Sequence, residues 1–315
     1  MLHKIDTQGI LMILNTPTSE DFFKTGKELL SFAWDIVAKL LVSLNEAEQY
    51  GIDPSEVSEE YWSLSQRHLT TALTITQQGV ELAIKGRICA ISPYILISDS
   101  PSKWPSPYNG SLDFSIFRTI DAQDLIKVHD TFSDTPFEGG FVDAFNNLRE
   151  KRNTIMHSVS KSLEVTFNDV LSTLLFMHKT LFPNDSWARL RFDALKNSPS
   201  TELGSSELIT NEACLELFYI IEALQPAQVK EYFKIDKKKR AYYCPHCHDE
   251  ASRDYGDYEP KLARLTMPQA TCNILYCPVC DDEYEVERTD CTKEYVGYCP
   301  GNVISSYGSC MTCGH

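Results

Sequence analysis

The chain has 315 residues, of which 43% are hydrophobic and 23% are charged, and this composition excludes an intrinsically disordered protein. Its 44 acidic and 29 basic residues give a net charge of −15, which argues against a protein that coats nucleic acid through bulk positive charge. The longest apolar runs reach only about six residues, too few to span a bilayer, and the N-terminus does not resemble a secretory signal. We therefore expect about two domains, a cytoplasmic location and no contact with a membrane.

The first three quarters of the chain have the patterns of helices. Apolar residues recur at three-to-four spacing from Phe22 to Glu48, and a second long helix is predicted from Asp53-Pro54-Ser55 to about Ile88. Residues 92–120 are rich in proline and contain Asn109-Gly110, which indicates a long loop. Helical periodicity returns in six segments: Asp121–Phe132, Gly139–Ser158, Leu163–Leu181, Trp187–Leu195, Asn211–Leu224 and Ala227–Phe233. We predict a mainly α fold, with residues 1–235 forming a helical bundle.

The amino-acid composition of the chain changes near residue 240. A charged connector, Lys234–Arg240, contains Lys237-Lys-Lys-Arg240 and is either a solvated linker or a patch for nucleic acid. Beyond it, residues 241–315 are rich in Tyr, Cys, Pro, Gly and Asp, with short strand-like pieces at Asn273–Tyr276 and Glu283–Glu287. This predicts a second, small, β-rich domain over residues 241–315.

Nine of the eleven cysteines lie in this second domain, and six of them form three Cys-x-x-Cys pairs whose first members are 33 residues apart. Each pair places two thiolates on one tight turn within reach of a tetrahedral zinc ion, which is typical of a zinc ribbon. The predicted metal ligands are Cys244, Cys247, Cys277 and Cys280 for one ion, and Cys291, Cys299, Cys310 and Cys313 for a second. The spacing also allows an interleaved pairing. Four residues remain as spare or substitute ligands: Cys272, His246, His248 and His315.

A structural role for one or two zinc ions is favoured over disulfides, because a short acidic segment has little else from which to build a core. A catalytic zinc ion is disfavoured because the cysteines saturate both ions. Such modules bind nucleic acid or protein. Residues 241–315 carry a net charge of −7, which favours a protein partner.

Three polar side chains that could take part in a reaction lie in the predicted helix Gly139–Ser158. With Phe141 at zero and about 100° per residue, a buried stripe is defined by Phe145, Leu148, Ile155 and Val159, and it also contains Arg152. An arginine in that position pairs with a buried acid, extends to solvent or faces a cleft or partner. Asn153 and His157 are i, i+4 neighbours on an adjacent face.

The six residues from Arg152 to His157 resemble the R-N-x-x-x-H motif of HEPN-family ribonucleases. Gln78–Gly86, with Glu81 and Lys85, resembles the Glu/Lys helix that often precedes the motif in these bundles. The resemblance covers roughly residues 20–225 and implies a HEPN-like fold, an RNA substrate and a homodimer in which two motif helices form a composite site. It implies Arg152, Asn153 and His157 as catalytic residues and a cleavage reaction that needs no metal, as in bacterial toxins and anti-phage defence proteins.

These residue types suit that reaction. His157 can act as base or acid, Arg152 can hold phosphate oxygens in its planar fork, and Asn153 can orient either group. Arg149 is either a further phosphate contact or a surface residue. In the structural alternative, Arg152 ties helices together, His157 caps a helix and Glu81–Lys85 is an ordinary ion pair.

Two non-catalytic functions also remain open. The chain is then a scaffold whose zinc domain binds a protein, as an antitoxin, adaptor or sensor, or a regulator that binds nucleic acid through the ribbon and Lys237–Arg240.

Overall fold

A computed structural model describes residues 12–104, 111–157, 164–202, 206–252, 260–292 and 299–315. The helices that it contains are α1 (Ser19–Asn45), α2 (Pro54–Leu64), α3 (Gln66–Ile91), α4 (Ala122–Phe132), α5 (Gly139–His157), α6 (Phe167–Leu181), α7 (Trp187–Lys196), α8 (Ser206–Ala223), α9 (Pro226–Phe233) and α10 (Pro245–Ala251). The strands are β1 (Met12–Leu14), β2 (Ser111–Asp113), β3 (Arg264–Leu265), β4 (Ile274–Cys277), β5 (Asp282–Glu287) and β6 (Ile304–Ser305). The prediction of a mainly α chain with a small β-rich C-terminal region is confirmed.

Local capping explains most helix boundaries. The Asp53 carboxylate accepts a hydrogen bond from the Ser55 backbone N–H (2.8 Å), and Pro54 starts α2. Thr166 and Asp169 form a reciprocal capping box, so α6 begins at Phe167 and not near Leu163 as predicted. Ser186 likewise caps α7 through the Arg189 backbone N–H.

The second predicted helix is two helices, and the prediction of one continuous helix to Ile88 is wrong. The chain breaks at Ser65, whose backbone N–H and hydroxyl both donate to the Tyr61 carbonyl (3.0 and 2.8 Å). A serine hydroxyl that bonds the backbone in this way offers an alternative to the helical ladder, and apolar periodicity does not report it.

The chain divides into two compact units. The first comprises Met1–Leu30 and Leu73–Leu163, and the second comprises Ser31–Ala72 and Glu164–His315. The division cuts α1 and α3, so both helices contribute to both units. The predicted domain boundary near residue 240 remains a prediction, and the cysteine-rich residues belong to the second unit together with α6–α9.

The first unit is built on a close approach of α1 and α3. A Cβ atom on Gly26 would lie 2.9 Å from the Gly79 carbonyl oxygen, so only glycine permits this separation at both positions. β1 and β2 pair in parallel, with Ile13 opposite Leu112. α5 packs against α4 and buries three residues of the predicted stripe, Phe141, Phe145 and Leu148, whereas Ile155 is half-buried. Val159 lies outside the described residues. Ser158 and the predicted turn at Asn109-Gly110 lie outside the described residues.

In the second unit, helices α6 to α9 pack on one another, and α10 packs on α8. The four C-terminal strands form one antiparallel sheet in the order β3-β4-β5-β6. Leu275 of β4 pairs with Leu265 of β3 and Tyr284 of β5, and Val286 pairs with Ser305 of β6. This meander places Cys277 at the end of β4 and Cys280 in the turn before β5. Within the part of the chain that the structure describes, no helix is both long and apolar enough to cross a membrane.

Candidate functional site: a cationic cleft and two tetracysteine groups

A row of polar contacts lies along one face of α3 in the first unit. Gln77 donates a hydrogen bond to Glu81 (3.2 Å), and Glu81 forms an ion pair with Lys85 (Oε1–Nζ 3.0 Å). The Lys85 ammonium also donates to the hydroxyl of Thr119 (3.2 Å). Because three of its members are one turn apart on α3, the i, i+4 spacing alone brings them together. The structure therefore places Glu81 and Lys85 in one hydrogen-bonded row.

The motif helix α5 forms the opposite wall of a cleft of about 370 Å³ above this row. Arg149, Arg152 and Asn153 line it together with Glu81 and Lys85. Arg152 is half-buried, and its Nη1 donates to the Asn153 side-chain oxygen (3.2 Å). The arginine in the apolar stripe thus faces a cleft, which is one of the roles expected from its position. Arg149 lies one turn before it and faces the same cleft.

The charges of this cleft are only partly compensated. Glu81 is paired with Lys85, and Asp121 on the rim is paired with Arg118 (2.6 Å). Among the described residues, the buried Nε atoms of Arg149 and Arg152 have no hydrogen-bond partner. Two neighbouring guanidinium groups that are not fully hydrogen-bonded are suited to bind the oxygens of a phosphate diester.

His157 lies apart from this cleft. It is the last residue of α5 and is exposed, and among the described residues the cleft lining does not include it. Five residues of helix rotate the side chain by about 140° from Arg152, so one α5 does not present both groups to the same point. The structure therefore brings Arg152 and Asn153 together with Glu81 and Lys85 and leaves His157 outside.

The first tetracysteine group gathers Cys244, Cys247, Cys277 and Cys280. Cys244 caps α10, Cys247 lies one turn into that helix, and Cys277 ends β4 before the turn that carries Cys280. The Sγ–Sγ distances include 3.8 Å for Cys244–Cys280 and 3.3 Å for Cys247–Cys280. Four sulfurs bound to zinc at ~2.3 Å in a tetrahedron are separated by about 3.8 Å, so this donor set fits a metal ion.

The thiols of this group perturb one another. Hydrogen bonds from Cys244, Cys247 and Cys277 lower the pKa of the Cys280 thiol, whereas burial raises the pKa of Cys277. Cys214 of α8 lies beside the group, since α10 packs on α8, and hydrogen bonding with Cys214 raises the pKa of the Cys247 thiol. No spacing pattern predicts this contact, since Cys214 lies far from the other thiols along the chain.

The second group gathers Cys291, Cys299, Cys310 and Cys313. Its Sγ–Sγ distances include 3.9 Å for Cys291–Cys313 and 3.9 Å for Cys299–Cys310. Within each group all ligand atoms lie within 4.8 Å of one another. The structure thus adopts the sequential grouping and not the interleaved one.

The spare ligands of the sequence stay outside both groups. Cys272 is buried, where its thiol donates to the Ile274 carbonyl oxygen (3.5 Å). The ring of His248 packs on Tyr243 (centroids 4.8 Å apart), while His246 and His315 are exposed. Eight cysteines are therefore sufficient for two tetrahedral ions without a histidine.

Two residues of the charged connector, Lys237 and Arg240, bind other parts of the second unit. The Lys237 ammonium donates to three carbonyls at the end of α8, those of Ile221, Glu222 and Leu224 (3.1, 2.9 and 2.9 Å). Arg240 reaches the Pro300 carbonyl and packs on Tyr242. Lys237 thus complements a helix C-terminus, which reduces the charge that this segment can offer to nucleic acid.

Comparison with known proteins gives no relative on which to rely: no protein-family model, no curated protein and no solved structure matches this chain.

Proposed function

We propose that this chain is a metal-independent endoribonuclease of the HEPN type, acting in the cytoplasm as a toxin or anti-phage defence effector. The observation that carries the proposal is the cleft in which Arg149, Arg152 and Asn153 face the Glu81–Lys85 pair. Unpaired guanidinium donors in a cleft supply the fixed positive charge that a phosphorane transition state needs. The overall charge of −15 leaves such a cleft as a local attraction for RNA on an acidic molecule.

The proposed reaction is an internal transfer. The ribose 2′-oxygen attacks the adjacent phosphorus after losing its proton to a base, the bond from phosphorus to the 5′-oxygen breaks, and an acid protonates that leaving oxygen. The products are a 2′,3′-cyclic phosphate and a 5′-hydroxyl end. Arg152 holds the phosphate oxygens, Asn153 orients them, and histidine exchanges the proton.

The position of His157 makes a homodimer part of the proposal. Because His157 lies outside the cleft of its own chain, a second copy must deliver a histidine to the cleft formed by Arg152 and Asn153. Two chains then supply two histidines, which a mechanism with one base and one acid requires. The two clefts then meet in one composite site.

We also propose that both tetracysteine groups hold zinc and that these ions are structural. Four thiolates select a soft, tetrahedral ion and leave no open coordination position for catalysis. The zinc domain then presents a surface for recognition or regulation, including by a protein partner.

The test compares RNA cleavage by the native chain with cleavage by Arg152→Ala and His157→Ala. The matched controls are Arg189→Ala, which removes an exposed arginine paired with Asp193, and His68→Ala, which removes an exposed histidine. We expect cleavage to fall by about 100-fold or more in both motif variants, with retained fold and zinc content, and to be unchanged in the controls. Full activity of both motif variants would contradict the proposal.

Two further measurements examine the mechanism. Cleavage should continue in EDTA over times too short for the tetracysteine groups to lose their ions. Mixing native chains with an excess of His157→Ala chains should lower the activity of the native chain, because a mixed dimer keeps only one of the two histidines of its composite site. In cells, expression should arrest growth, and His157→Ala should relieve that arrest.

The second candidate is a non-enzymatic protein whose zinc domain binds a protein partner as an antitoxin, adaptor or sensor. The exposed position of His157, away from the cleft, favours it. It predicts no nuclease activity and a stable complex that Cys277→Ser abolishes.

A further inference from the structure

A second cavity lies in the second unit. Its lining includes no residue assigned so far to catalysis or metal binding, although Tyr276 and Asp281 adjoin Cys277 and Cys280 in the sequence. It has a volume of about 550 Å³, within the usual range for small-molecule sites. Its walls are the connector after α9, the strand β3, Tyr276 of β4 and the turn that leads into β5.

A buried arginine forms part of the wall. Arg264 is 6% exposed, and its Nη1 donates to two carbonyls of its own segment, those of Lys261 and Ala263 (3.2 and 3.0 Å). Among the described residues, its Nε has no hydrogen-bond partner and no carboxylate oxygen lies within 4.0 Å of its guanidinium. Burial lowers the pKa of Arg264, against the weaker pull of Glu222 and Asp236. A charge removed from water in this way favours any ligand that brings an oxyanion.

The rim of the cavity carries the opposite charge. Lys234 is bound to Asp281 (2.8 Å), and Tyr276 donates to the same carboxylate (2.5 Å), so these three compensate one another. Asp282 and Glu283 are exposed beside them and lack an ion pair among the described residues. Lys239 also lines the cavity, but Asp282 and Glu283 outnumber it, so the rim is acidic and disfavours polyanions such as nucleic acid.

We propose that this cavity binds a small zwitterion of the α-amino-acid type, with its carboxylate at Arg264 and its ammonium group at the acidic rim formed by Asp282 and Glu283. The carboxylate supplies the two acceptor oxygens that a guanidinium prefers. The ammonium group supplies donors to carboxylates at the cavity mouth. The two charges of the ligand thus match the two ends of the cavity, and the site is independent of the proposed ribonuclease cleft.

The test is isothermal titration calorimetry of the zinc-loaded full chain with each of the common free amino acids. Acetate, methylammonium and inorganic phosphate serve as probes that carry only one of the two charges. We expect saturable binding of at least one amino acid and none of the three single-charge probes at the same concentration. Binding of phosphate as tight as that of the amino acid would overturn the zwitterion assignment, and binding of no amino acid would overturn the site.

Variants separate the two ends of the cavity. We expect Arg264→Gln, and the rim variant Asp282→Asn with Glu283→Gln, each to weaken binding by about 10- to 100-fold, since each removes a charged hydrogen-bond partner. Arg189→Gln, an exposed arginine of α7, should leave affinity unchanged. If Arg264→Gln fails to fold or loses zinc, the rim variant decides, because its side chains are exposed. Native affinity in the rim variant would then refute the proposal.

Discussion

The substitution Arg191→Met should destabilise the second unit strongly, because it leaves the buried carboxylate of Glu216 without its cation. Arg191 of α7 donates to both oxygens of Glu216 (2.7 and 3.0 Å), to Asp35 (2.8 Å) and to the Ser31 hydroxyl (3.1 Å). Glu216 is 4% exposed, and within the described residues it would keep only the Trp34 indole N–H (3.2 Å). Asp35 would keep its ion pair with Lys39 (2.8 Å).

The expected cost follows from this loss of partners. Breaking a buried ion pair by removing one partner costs about 3–5 kcal/mol, and methionine replaces most of the arginine stem, so packing adds little. The matched control is Arg189→Met on the same helix. Its arginine pairs with Asp193 at 3.4 Å and both side chains are half-exposed, so about 0.2–1 kcal/mol is expected.

Urea unfolding followed by tryptophan fluorescence, to which the buried pair Trp34 and Trp187 contributes, measures the difference. A loss of 3–5 kcal/mol lowers the urea midpoint by about 1–2 M. The double variant Arg191→Met, Glu216→Met should recover much of that loss, because neither charge is then left alone. If Arg191→Met shifts the midpoint no more than Arg189→Met does, the reasoning is refuted.

The pH dependence gives an independent check of the same network. Burial already raises the pKa of Glu216 in the native chain, and Arg191 opposes that rise. Without Arg191 the folded pKa rises further above the unfolded value, so the folded state binds more protons than the unfolded state. The stability of Arg191→Met should therefore fall as pH rises from acid to neutral values. If Arg191→Met lowers the free energy of unfolding equally at acid and at neutral pH, this account is contradicted.

Three further predictions concern the metal groups, the core and the cleft. Cys277→Ser should reduce the zinc content measured by mass spectrometry from two ions to one per chain, whereas Cys272→Ser, which alters a buried thiol outside both groups, should leave it at two. Gly86→Ala should cost about 1–3 kcal/mol in thermal unfolding because its Cβ would lie 2.6 Å from the Phe23 ring, while Gly139→Ala meets no atom within 4 Å and should cost nothing. Lys85→Met should weaken RNA binding, measured by fluorescence anisotropy, and should reduce the salt dependence of the affinity by the contribution of about one phosphate contact. Unchanged binding would exclude Lys85 from the interface.

The helices of this chain are predictable where sequence signals are local. Asp53-Pro54 marks the start of α2 correctly, because the cap is formed by residues two positions apart. The break at Ser65 is not predictable in this way, since its signal is a serine hydroxyl turned back to the Tyr61 carbonyl and the apolar period continues across it. Helix α10 also escapes prediction, because cysteine and histidine are weak helix formers and its N-cap is the thiol of Cys244.

The candidate site divides in the same way. The i, i+4 spacing of Glu81 and Lys85 and the position of Arg152 in an apolar stripe are visible in the sequence. Their convergence on one cleft is not, because α3 and α5 are separated by a long connection whose path no local pattern specifies. For the same reason the sequence does not decide whether Arg149 faces the cleft or is a surface residue. Nor does it single out Arg264, because the burial of a guanidinium group without an ion-pair partner arises only when the chain packs.

The sequence by itself determined the elements and the candidate ligand sets. The helices follow from the 3.6-residue period, and the eight candidate metal ligands follow from three Cys-x-x-Cys pairs together with Cys291 and Cys299. Tertiary structure alone decided which side chains share a cavity, that Cys214 lies beside Cys247, and that Lys237 caps α8. The physical reason is range. Periodicity, caps and Cys-x-x-Cys turns depend on neighbours a few residues away, whereas burial of a charge and loss of its partner depend on residues that meet only after the chain has folded.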